Sequence, residues 1–167
     1  MDEFLKALVS KQKNDKIPEE QNFFGCLIGE WEFEWIDGHG TPKERHVKGE
    51  WIFSWILEGM AIQDLFICPS REERKVNNQA DAEYGTTIRI YNPSTQAWDI
   101  FYGCMGEATR LEATKADDKI VLTEITGKNM KWVFSNITAD AFLWQRIEKQ
   151  LDSQWKVMGE AIAKRKQ

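Results

Sequence analysis

The chain has 167 residues, 42% hydrophobic and 29% charged, with a formal net charge of −5. That length fits one domain able to bury a core without metal or disulfide staples. The acidic balance disfavours nonspecific nucleic-acid binding, and no apolar run is long enough to span a bilayer.

The first residues, Met1-Asp2-Glu3, lack the basic and apolar regions of a signal peptide. Three widely spaced cysteines, Cys26, Cys68 and Cys104, read as free thiols in a reducing, cytoplasmic setting. With only His39 and His46 near one turn, neither a metal site nor a catalytic triad can be assembled, and no cofactor motif is present.

Phe4, Leu5, Leu8 and Val9 fall at helical spacing, which predicts a short amphipathic helix over residues 2–12. A second helical turn is expected between Glu19 and Leu27, and residues 1–28 together read as a cap on the remainder of the chain. From Gly29 the period changes to two: Trp31, Phe33 and Trp35 alternate with glutamates, then Val47, Gly49, Trp51, Phe53 and Trp55 share one face. Further strands are expected near 60–67, 86–91, 97–103, 107–114, 119–125, 130–136, 141–149 and 154–164, separated by turn residues. Residues 68–85 form a long polar stretch, expected to be more mobile than the strands and to border a cavity mouth. The fold class is therefore all-β: about eight to ten antiparallel strands over 29–167, closed into a barrel because open edges would be a liability.

Gly29-x-Trp31 after a short helical segment resembles the opening of the calycins, the lipocalin and fatty-acid-binding superfamily. Glu58-Gly59 after a tryptophan strand, Tyr91-Asn92-Pro93 with Trp98, and a closing tryptophan strand make residues 25–164 resemble bacterial lipocalin-like families. The resemblance implies an up-and-down barrel with an internal cavity. Haem-binding relatives need a late histidine, and none follows His46. Lipocalins also often place an arginine near the last strand over the first tryptophan, a part that Arg165 can take.

Tight turns at Glu58-Gly59, Pro93-Ser94 and Asp152-Ser153 would set cross-strand partners. Trp55 would then oppose Ile62, Phe53 would oppose Asp64, Tyr91 would oppose Gln96, Arg89 would oppose Trp98, and Arg146 would oppose Gly159. On that register Arg89, Tyr91, Trp98 and Tyr102 line one side of a pocket, with Asp64 and Arg146 as further polar members and Trp51, Trp55 and Trp144 as apolar wall. The opposite parity, with Ile88 and Ile90 inward and Arg89 in solvent, stays open, as does a purely structural Asp64–Arg89 bridge. Arg146 and Glu148 could likewise form a simple ion pair. Three functions fit: a noncatalytic binder of a small apolar or amphipathic ligand with an anionic head group; a barrel enzyme such as an isomerase, cyclase or lyase; and a structural module with a filled core, compatible with a homodimer.

Overall fold

The computed structural model describes residues 2–167 and contains one short helix, α1 (Glu3–Leu8), followed by ten strands. These are β1 (Gly29–Asp37), β2 (Arg45–Ile56), β3 (Ala61–Cys68), β4 (Glu83–Asn92), β5 (Ala97–Cys104), β6 (Glu107–Ala116), β7 (Lys119–Glu124), β8 (Met130–Ser135), β9 (Ala141–Lys149) and β10 (Trp155–Arg165). Each strand pairs with its neighbours in sequence, and β1 pairs with β10, so the sheet closes into an up-and-down antiparallel barrel. Closure removes the free edges that ten consecutive strands would otherwise expose.

Strand alternation points Trp31 and Phe33 of β1, and Trp51, Phe53 and Trp55 of β2, into the barrel. Strand β4 turns Gly85, Thr87, Arg89 and Tyr91 inward and leaves Ile88 and Ile90 half-buried on the outer face. The β2–β3 register is as expected, with Trp55 opposite Ile62 and Phe53 opposite Asp64. At the β4–β5 turn the structure differs: Asn92 pairs with Ala97, so four residues form the connection and Tyr91 opposes Trp98. Two additional loop residues slide the strand by two positions, which preserves the inward face. At the β9–β10 hairpin Arg146 opposes Gly159 as expected. A bulge between Val157 and Gly159 then changes the parity, so Glu148 opposes Lys156.

The N-terminal segment closes one end. Helix α1 is shorter than its apolar periodicity suggests. It buries no residue, and Phe4, Leu5 and Val9 remain exposed. Beyond it Ser10 N–H donates to the Trp55 carbonyl (2.9 Å) and Asn14 N–H to that of Gly59 (3.1 Å), fastening the chain to the β2–β3 turn. The expected second helix is two 3-10 turns, Glu19–Gln21 and Gly25–Leu27. Phe24, just before the second turn, and Leu27 within it are both fully buried and enter the barrel end beside Ile17. Trp31 donates its indole N–H to the Leu27 carbonyl (2.8 Å), and Trp98 donates to that of Gln21 (3.0 Å).

Candidate functional site

The barrel has two chemically different ends. At the end closed by the N-terminal segment, Arg89 pairs with Asp64 (Nη1 to Oδ2, 2.7 Å), and both side chains are fully buried. Asp64 also accepts the Thr87 backbone N–H at 3.1 Å. The Arg89 guanidinium lies 5.1 Å from the ring centroid of Phe24 and 5.5 Å from that of Phe53. Two aromatic faces and a carboxylate therefore offset its desolvation, while its Nε finds no partner. Tyr91 packs on Trp98, and Trp98 on Phe24. Arg89 is thus inward and covered.

The opposite end is open and holds a cleft in two lobes that share Phe66 and Glu83 as walls. The inner lobe, about 40 Å³, is lined by Trp51, Thr87, Tyr102, Glu107, Trp132, Trp144 and Arg146. The outer lobe, about 110 Å³, is lined by Trp35, Asp37, Arg45, Cys68, Gln79 and Asp81. Between the two ends the interior is filled by packed aromatics: Phe33 stacks on Phe66 at 4.8 Å, and Trp51 meets Phe66 edge to face at 5.0 Å.

The sequence-derived site residues divide between these ends. Trp51, Tyr102, Trp144 and Arg146 wall the inner lobe, whereas Asp64, Arg89, Tyr91, Trp98 and Trp55 are not among its walls. Reading β4 from its middle missed Glu83, which shares the inward face with Arg89 by period two but sits inside the polar 68–85 stretch. Trp132 was open to the same reasoning, since Met130, Trp132 and Phe134 are the buried face of β8.

Glu83 accepts a hydrogen bond from the Tyr102 hydroxyl at 2.8 Å. Gly85 makes that approach possible: a Cβ there would stand 2.6 Å from the Tyr102 hydroxyl oxygen. Burial pushes the Glu83 carboxyl above the usual range; the Tyr102 hydrogen bond opposes this, and the Glu107 charge adds to it. Burial and the Glu83 charge push the Tyr102 phenol up as well. The two cations lining the cleft are already engaged. Arg146 donates to Glu148 (2.8 Å), and Arg45 is shared between Asp37 (2.5 Å) and Asp81 (2.8 Å). Three of the eight indoles, those of Trp31, Trp35 and Trp98, donate to protein acceptors. The N–H groups of Trp51, Trp132 and Trp144 are buried and have no acceptor among the described residues, and all three residues wall the inner lobe.

The 69–82 connection rims this end and is tied down by three arginines. Arg71 pairs with Glu50, Arg74 donates to the carbonyls of Pro69 and Glu83, and Arg45 grips Asp81. The three cysteines form no disulfide, and the buried Cys68 thiol is pushed up to about 12, chiefly by burial. Among the described residues no helix is long and apolar enough to cross a membrane.

No family model and no curated protein matches the chain. Among solved structures it is similar to Rv2717c from M. tuberculosis, with a TM-score of 0.57 at 11% identity over 90% of this chain and 99% of that one. It is also similar to the S-type phycobiliprotein lyase CPES from Guillardia theta, with a TM-score of 0.57 at 11% identity over 91% and 95% of the two chains. At that identity the likeness is one of fold, a closed up-and-down antiparallel barrel.

Proposed function

We propose that the chain is a small-molecule-binding barrel whose ligand enters at the open end and seats in the two-lobed cleft. The observation that carries this reading is the Glu83–Tyr102 pair at the open end of the barrel, where, unlike Asp64 beside Arg89, the carboxyl has no ion-pair partner among the described residues. A module with a merely filled core gains nothing from placing an ionisable carboxyl there, because desolvating it is costly. Lobes of about 40 and 110 Å³ suit a compact ligand or head group, and are well below the roughly 300–1,000 Å³ of pockets that enclose drug-sized molecules. The apolar part of the ligand would lie against Phe66 and Trp35. The lyase named among the fold neighbours is consistent with a barrel that handles a small molecule. Free thiols support a reducing, cytoplasmic setting.

Native mass spectrometry of the protein purified from its own cells should show a retained small molecule. A fragment panel should contain compounds that raise the melting temperature by binding the folded state alone. Thr87→Met, which extends a side chain into the inner lobe, should abolish both effects while unfolding stays cooperative. Absence of any retained or stabilising compound would refute the binding reading.

The raised Glu83 carboxyl favours a second reading, a barrel enzyme with Glu83 as proton donor. If a bound compound is recovered chemically altered by the wild type and unaltered by Glu83→Gln, this second reading replaces the first.

A further inference from the structure

Buried indole N–H groups ordinarily find a hydrogen-bond acceptor, and each exception calls for a reason. Here the three exceptions stand together. Trp144 lies 5.8 Å from Trp51 and 5.6 Å from Trp132, ring centroid to centroid, and Trp51, Trp132 and Trp144 are 3%, 6% and 6% exposed. They come from β2, β8 and β9, and the closed barrel alone brings them around one lobe. Three neutral donors without acceptors ask for an oxygen atom supplied by the ligand.

The charges around the lobe decide what kind of oxygen. Arg146 and Arg45 are both ion-paired, while Glu83 and Glu107 face the same space. A carboxylate or phosphate would meet two acidic side chains, with both cleft arginines already committed. An organic cation would find those carboxylates, but it has no lone pair to accept from the unpartnered indole N–H groups, which carry the positive end of the ring's charge distribution. A neutral carbonyl satisfies the donors without that penalty. If an N–H lies beside the carbonyl, the Glu83 and Glu107 carboxylates are available as its acceptors.

Resting on the binding reading above, we propose that Trp51, Trp132 and Trp144 form the recognition wall for the carbonyl oxygen of a neutral amide or lactam, with Glu83 or Glu107 accepting the ligand N–H. This replaces an anionic head group with an uncharged donor–acceptor pair. It also gives the inner lobe both halves of an amide's complement: three indole donors and two carboxyl acceptors.

The test uses the full chain with nitrogen-15 label and reads the indole N–H resonances, assigned by single Trp→Phe variants. Titration with 2-pyrrolidinone should shift the signals of Trp51, Trp132 and Trp144 saturably and leave those of Trp31 and Trp98 in place. Acetate and tetramethylammonium at the same concentrations should not reproduce the shifts. Trp144→Phe keeps the ring packing and removes one donor, so lactam affinity should fall on the order of two- to tenfold, the range for one neutral hydrogen bond. Equal shifts with acetate or tetramethylammonium, or unchanged lactam affinity in Trp144→Phe, would overturn the proposal. If a compound from the fragment panel binds at the mouth and no lactam moves the three indole signals, this inference fails and the binding reading stands. If nothing binds at the mouth, both fail.

Discussion

The Arg165 guanidinium lies over the Trp31 indole, 4.1 Å from the ring centroid. It also donates to the carbonyls of Ala139 (2.6 Å), Ile28 (2.8 Å) and Cys26 (3.0 Å), tying the last strand to the segment that closes the barrel. Its Nη1 stands 2.5 Å from where a Cβ on Gly29 would be, at a residue with φ of +126°. The Gly29-x-Trp31 spacing therefore has a physical basis: the glycine leaves the room through which the arginine reaches the tryptophan.

Removing that contact should destabilise the fold. Arg165→Ala loses a cation–π contact and three charge-assisted hydrogen bonds, at a cost of about 2–4 kcal/mol. Arg165→Lys should recover little of it, since an ammonium cannot serve three divergent carbonyls while stacking on a ring. Urea denaturation monitored by tryptophan emission reads both. An Arg165→Ala midpoint equal to the wild type would show that the contact contributes nothing.

The Asp64–Arg89 pair should behave as a buried charge pair. Asp64→Asn or Arg89→Met alone strands one group in a sealed interior and should cost about 3–5 kcal/mol. The double variant Asp64→Leu/Arg89→Met should lie much closer to the wild type than the sum of the single effects. Additive losses in the double-mutant cycle would mean that the two side chains are not coupled.

Glu83 predicts a pH dependence of known sign. Its carboxyl titrates above its ordinary value of 4.5 in the fold. Relative to an unperturbed group its stabilising contribution is therefore complete below that value and lost as pH rises through the higher folded value. Glu83→Gln removes this loss, so the variant's stability relative to the wild type should increase as pH is raised from about 4 towards neutrality. Thermal melts of both proteins across that interval give the comparison. A difference that stays flat with pH would mean that Glu83 titrates normally.

The rim segment should be the first site of proteolysis, between Arg71 and Lys75, because the strands on either side are held in the ladder. Its anchors set the rate. Arg45→Ala releases Asp81 from the barrel rim, so trypsin cleavage in 71–75 should accelerate several-fold while cuts within the strands β1 and β2 remain absent. Early cleavage inside β1 or β2 would contradict the account of the rim.

The alternation of tryptophan and phenylalanine with charged residues was enough to read the strands, their inward faces and the closed barrel. Burial on one face imposes a period of two that no other regular structure produces. Cross-strand parity offered an inward Arg89 but left the opposite face open; the structure turns it inward, and the two-residue error in the β4–β5 turn did not disturb that face because faces repeat every second residue. Local pattern did not carry where along the barrel each inward residue would lie, nor what would cover it. The apolar stripe of α1 looked like a buried face but remains exposed, and the plugging of the closed end fell to Phe24 and Leu27, at the start and end of the second 3-10 turn. Arg89 and Tyr102 share a face two strands long, yet one is sealed beneath Phe24 and the other meets Glu83 at the mouth. Trp51, Trp132 and Trp144 lie far apart in sequence, and nothing local distinguishes their indoles from those of Trp31 or Trp98. Only barrel closure, which sets β2, β8 and β9 around one lumen, decided which N–H groups would find a backbone carbonyl and which would be left without an acceptor.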